Sequence, residues 1–172
     1  MEIKKYFEAV RITYSGAFDL IYPFTIEDKE YLGYGFFFNN AQKFILVKDV
    51  KLWEVNSFEH VIFMEESIIS EDTIEEVKKL MIDYMEKNLV RKNKKYPDAN
   101  HMYSFLTIII LTTDELSNNI EKLVKKFKFK KNYLLTIRGY SEGRLVVVNP
   151  EKKIFLSNKA GSSLKKLYSD LL

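Results

Sequence analysis

Four carboxylates stand where apolar runs give way to helix-like segments: Glu65 and Glu66 after one run, Asp114 and Glu115 after another. Carboxylate oxygens gathered at one place suit a hard cation such as Mg²⁺. Acids at these places also complement helix dipoles and cap free amides, and that simpler role predicts neither a metal nor a cofactor. If the strands that deliver them are parallel, Arg138 and Tyr140 arrive at the same sheet edge. The expected ligand pocket is therefore Glu66, Asp114, Arg138 and Tyr140, at the C-terminal ends of the strands, where open α/β sheets favour ligands.

Cations gather at the other pole. Lys125, Lys126, Lys128 and Lys130 follow a helical segment, with Phe127, Phe129, Tyr96 and Tyr133 interleaved or nearby. Such a patch can meet phosphates and stack on single-stranded bases. Lysines also belong at helix C-termini, so nucleic acid is the alternative partner and not the first. The net charge of +3 is too small to argue polyanion binding alone.

Other constellations lack a component. Gly139-Tyr140-Ser141-Glu142-Gly143 has the G-x-S-x-G spacing of a nucleophile elbow, but a strand-like segment follows where the elbow needs a helix, so the glycines read as turn residues. The two histidines, His60 and His101, each open an expected parallel strand and would be neighbours at the edge away from the acids; without an acidic ligand they make a poor metal site. No cysteine is present, which removes disulfides, thiolate nucleophiles and Cys-ligated metals and suits a reducing, cytoplasmic setting.

The elements that would carry these groups follow from periodicity. At 172 residues, 47% apolar and 15% aromatic, the chain has the material for one globular domain, residues 1–172. Residues 102–111 form a nearly continuous β-branched run, too short to span a bilayer, and predict a strand covered on both faces. Thr112 to Glu115 then spell a capping box for a helix over 113–127, and Asp72 to Glu75 another for a helix over 72–91. Residues 2–21 show helical spacing up to Pro23. Aromatic residues 31–38 and residues 43–48 predict a hairpin turning at Asn39 to Gln42, with a third strand over 60–66. Residues 133–138, 144–148 and 154–157 predict a meander, and 160–172 a last helix.

The expected fold is α+β: a single domain with a mixed sheet, parallel in its centre with antiparallel meanders on both sides, in the order αβββαβαβββα. The opening αβββαβ resembles the core topology of restriction-endonuclease-like nucleases in element order. That resemblance implies an acid followed by D/E-x-K on adjacent strands. Asp49-Val50-Lys51 has the shape, but residues 60–66 end in Glu65-Glu66-Ser67 with no lysine two further on. Because each enzymatic constellation lacks a partner residue, the expected function is a non-catalytic binding or protein-interaction module. Edges left by such a sheet make a homodimer through an outer strand or the aromatic hairpin a candidate assembly. The alternative is a nucleic-acid-associated protein of degenerate nuclease-like fold using the lysine pole. No stretch is long and apolar enough for a membrane span.

Overall fold

His101–Leu111 (β6) is the centre of the molecule, as its composition predicts. Ile108, Ile109, Ile110 and Leu111 are all fully buried, alternate residues facing opposite helical layers. Each such side chain contributes roughly 1.5–3 kcal/mol. The computed structural model describes residues 1–45 and 50–172. In chain order these form α1 (Ile3–Tyr14), β1 (Asp19–Ile21), a small hairpin of β2 (Phe24–Ile26) and β3 (Lys29–Tyr31), β4 (Gly33–Ile45) and β5 (Val50–Glu65). Then come α2 (Glu71–Lys79), continued as a π-helix over Leu80–Val90, β6, α3 (Asn118–Lys126), β7 (Lys130–Asn132), β8 (Tyr140–Asn149) and β9 (Ile154–Ser157). A 3₁₀ turn over Ala160–Leu164 and α4 (Lys165–Ser169) close the chain.

The main sheet has the order β1-β4-β5-β6-β8-β7, with β9 also pairing β8. β5, β6 and β8 are parallel; β1, β4, β7 and β9 pair antiparallel. The mixed α+β fold is therefore the expected one. One face packs on α2, its π-helical continuation and α3 through Ile62, Met64, Ile108, Ile110 and Val147. The other packs on α1 and α4 through Val61, Phe63, Ile109, Val146 and Val148. There the Tyr6 hydroxyl donates to the Tyr168 carbonyl, and the Tyr14 and Tyr168 hydroxyls lie 2.8 Å apart, tying the two terminal helices together.

Several boundaries differ from the expectation. The first helix stops at Tyr14; the chain turns at Ser15 to Ala17, and Asp19–Ile21 pairs with β4. Asn39 to Gln42 make no turn but continue β4 against β5, where Asn40 Nδ2 donates to Asn56 Oδ1 at 2.6 Å across the ladder. Asparagines permit a turn, but a long partner strand overrides that preference. Residues 46–49, which include the end of the expected second strand and Asp49, lie outside the described residues. The two helices are capped by Ser70, which shares reciprocal bonds with Thr73, and by Ser117, which accepts from the Ile120 amide. Neither expected capping box forms; the Thr112 hydroxyl accepts from the Asp114 amide in a loop instead.

The largest correction concerns residues 133–138, which are not a strand. Leu134, Leu135 and Thr136 have φ of 47°, 52° and 74° and curl into a left-handed turn closed by Ile137 N–H to the Leu134 carbonyl. Leu135 is 93% and Ile137 78% exposed. The third parallel strand is β8, which also absorbs Tyr140 to Gly143, expected as a turn.

Candidate functional site

Moving the third parallel strand to residues 140–149 splits the expected pocket. Glu66 and Asp114 follow β5 and β6 at their C-terminal ends, whereas Arg138 and Tyr140 precede and open β8 at the N-terminal ends. The Tyr103–Tyr140 and Leu111–Val148 pairs are eight residue steps apart, roughly 26 Å of strand. The acids have local work: Asp114 Oδ2 accepts from the Ile69 amide at 3.0 Å, Glu66 pairs with Lys29 at 3.4 Å, and Glu115 pairs with Lys152. Among the described residues no group of three or more acidic or histidine side chains is arranged to hold a metal.

The lysines of the basic pole lie at the N-terminal end of the sheet. Lys125 pairs with Glu121 at 3.0 Å, one turn back on α3. Lys130 sits 4.8 Å from the centre of the Tyr140 ring, and Lys126 and Lys128 are exposed.

A cleft of about 420 Å³ opens at this same end, on the face that carries the π-helix. Strand alternation sends Phe58 and His60 of β5 to the face of Ile62, and their β4 partners Phe38 and Phe36 beside them. Tyr34, Phe36, Phe58, His60, His101 and Ser104 line its floor; Leu89 and Val90 form one wall, and Asp19, Lys92 and Asp98 stand around it. Asn56 and Asn88 also line it, so apolar and polar residues contribute in nearly equal number, with the aromatic and aliphatic groups supplying most of its exposed surface.

Both histidines are buried and hydrogen-bonded. The Tyr34 hydroxyl lies 2.7 Å from His60 Nδ1. His101 Nδ1 lies 2.7 Å from the Arg138 carbonyl and its Nε2 lies 2.8 Å from Ser104 Oγ. Burial, with a smaller push from His101, pulls His60 down to about 4. Burial lowers His101 too, against an upward pull from the Arg138 carbonyl and Asp98. At neutral pH both rings are uncharged, and Phe36 and Phe58 stack or tilt against them at 5.2 and 5.9 Å.

A charged network backs the cleft. Glu86, 1% exposed, accepts from Arg91 at 2.6 and 3.0 Å and from the Tyr133 hydroxyl at 3.0 Å, with Lys131 at 3.0 Å. The Tyr133 hydroxyl lies 2.8 Å from Ser141 Oγ, and its ring meets His101 edge-on at 5.6 Å. Sequence periodicity missed Glu86 because it assumed 3.6 residues per turn. In the π-helix, Arg91 N–H reaches the Glu86 carbonyl five residues back, and Met81, Met85, Glu86 and Val90 face inward. A charged residue between apolar neighbours carries no signal that the turn will widen around it. The two histidines were visible, but their common cleft required the register of β4, β5 and β6.

Fold and cleft together define an α+β protein whose mixed sheet is packed between two helical layers and is open at the N-terminal ends of its parallel strands. The chain belongs to the family described as Domain of unknown function (DUF8052), whose model matches residues 2–170. No curated protein and no solved structure matches it. No helix of the described residues is long and apolar enough to cross a membrane.

Proposed function

We propose that the protein is a binding module whose cleft takes an uncharged, planar aromatic small molecule. The observation that carries this reading is the floor of the cleft: three aromatic rings and two buried, neutral imidazoles converge on a cavity of about 420 Å³. Rings offer a flat surface for stacking, and the Tyr34 hydroxyl and the Nε2 of His60 offer hydrogen bonds that orient a ligand without demanding charge. Lys92 and Lys94 both pair with Asp98, at 2.9 and 3.0 Å, and Asp19 is a second acid at the rim, so the two signs balance and the rim adds no strong field of one sign.

The neutral fluorophore N-phenyl-1-naphthylamine tests this. It should bind the native protein saturably with one-to-one stoichiometry. Leu89→Trp, which places a larger ring in the cleft wall, should abolish binding while leaving the far-UV spectrum unchanged. Non-saturable binding, or equal binding by a folded Leu89→Trp variant, would refute the reading.

A further inference from the structure

The cleft contains an arrangement that a binding site does not need. In a regular strand, residues three apart point to opposite faces. The β5–β6 register shifts between Asn56 and Ser57, which pair with His101 and Tyr103, so Met102 is an extra residue. This bulge turns His101 onto the face of Ser104 and sets Nε2 2.8 Å from the serine oxygen. At the other nitrogen, 2.7 Å away, the Arg138 carbonyl can only accept, so Nδ1 carries the ring hydrogen. Nε2 of the neutral ring then holds a lone pair directed at the Ser104 hydroxyl.

That carbonyl is itself held in place. It follows the left-handed turn at Leu134 to Thr136 and precedes Gly139, at φ 70°, where a Cβ would lie 1.9 Å from the Met102 carbonyl oxygen. The Arg138 side chain donates to the Pro97 carbonyl at 3.0 Å. Bulge, turn and glycine thus lock together around the imidazole. Phe58 stacks on its face, and both His101, 5% exposed, and Ser104, fully buried, lie at the floor of the cleft, so a substrate reaches Ser104 Oγ only by displacing the side chains above it. A nucleophile, a base and a group that fixes the base's tautomer are the parts of an activated serine.

We propose that Ser104 is a nucleophile for acyl transfer from a neutral aromatic ester, with His101 as its base and the Arg138 carbonyl as the group that orients that base. This rests on the cleft being a ligand site. Ser104 Oγ bonds to the ester carbonyl carbon and its proton passes to His101 Nε2. The carbon–oxygen bond to the alcohol breaks, and the same proton leaves with the alcohol. Water then attacks the acyl-serine, giving one proton to Nε2; the acid departs and that proton returns to Oγ. Water is the one co-reactant, and no oxidant or reductant enters.

An aryl alkyl fluorophosphonate reports the first step, because a phosphorus–Oγ bond forms as hydrogen fluoride leaves. The full chain should gain one adduct by intact mass, mapped to Ser104 by peptide sequencing, and excess N-phenyl-1-naphthylamine should suppress it at least tenfold. Ser104→Ala should remain unlabelled. His101→Gln, which can still donate to the Arg138 carbonyl but has no basic nitrogen, should slow labelling at least 100-fold. No adduct on wild-type Ser104, an adduct on another residue, or unchanged labelling in a folded His101→Gln variant would overturn the proposal. Saturable fluorophore binding without an adduct would remove the nucleophile and keep the cleft; absent fluorophore binding would remove the cleft itself. The wild-type mapping and protection measurements need no variant to fold.

Discussion

Replacing Glu86 with glutamine should destabilise the protein by about 3 kcal/mol at pH 7. The carboxylate is buried against the sheet and takes two hydrogen bonds from Arg91 and one from Tyr133, with Lys131 as a third partner. Removing one partner of a buried ion pair costs roughly 3–5 kcal/mol. Arg91 and Lys131 retain 20% and 44% of their side-chain exposure, so water takes up part of their orphaned charge and the lower end applies. Burial pushes the Glu86 carboxyl up, but the bonds from Arg91, Lys131 and Tyr133 outweigh it and hold the group below the ordinary carboxylate value. The folded pKa lies under the unfolded one, so this stabilisation is complete above about pH 4.3 and is lost as pH falls through the folded value. Urea unfolding of both proteins should therefore give curves farthest apart from pH 5 to 7 and converging below pH 4. A difference under 0.5 kcal/mol at pH 7, or a gap that does not narrow in acid, would refute the argument that Glu86 is a paired buried anion.

Asn158→Ala should cost about 4 kcal/mol in urea unfolding. Its buried amide donates to the Phe127 and Gly143 carbonyls and accepts from the Leu145 and Gly161 amides, and each orphaned buried group costs about 1–3 kcal/mol. Gly139→Ala should lose at least about 3 kcal/mol by differential scanning calorimetry, since a Cβ at 1.9 Å from the Met102 oxygen forces the backbone to move. Leu135→Asn should raise stability by about 1 kcal/mol in the same assay, because asparagine tolerates the left-handed conformation that costs leucine roughly 1–2 kcal/mol.

Residues that repeat with a regular period were legible in the sequence. The β-branched run of β6 announced a central strand, and the spacing of Ile74, Val77 and Met81 announced the helix packed on it. The departures from regularity were not legible. Three left-handed residues at Leu134 to Thr136 look like a strand when only apolarity is read, because Tyr133, Leu135 and Ile137 alternate with the neighbours a strand would have. What curls them is the closure between Tyr133 and Gly139, whose amide and carbonyl bond at 2.9 Å. Nothing local encodes the arrival of β8 one turn later.

The same irregularities assemble the cleft. Local preference places acids at the C-terminal ends of β5 and β6, where they cap and pair. At the N-terminal ends three breaks in the backbone pattern converge: a π-helix that brings Glu86 inward, a bulge at Met102 that turns His101, and a left-handed turn that presents the Arg138 carbonyl. Each sacrifices some regular hydrogen bonding or favourable φ, and the left-handed turn alone costs roughly 3–6 kcal/mol. Strain of that size persists where the surroundings over-determine it. Here the surroundings are Gly139 against Met102, the ring of Tyr133 against His101, and Glu86 against Tyr133. Relaxing the turn would release the Arg138 carbonyl, free the imidazole to rotate and break its bond to Ser104. The position of one hydrogen on His101 therefore depends on a run of backbone geometry from Met102 to Gly139 that no single segment of sequence specifies.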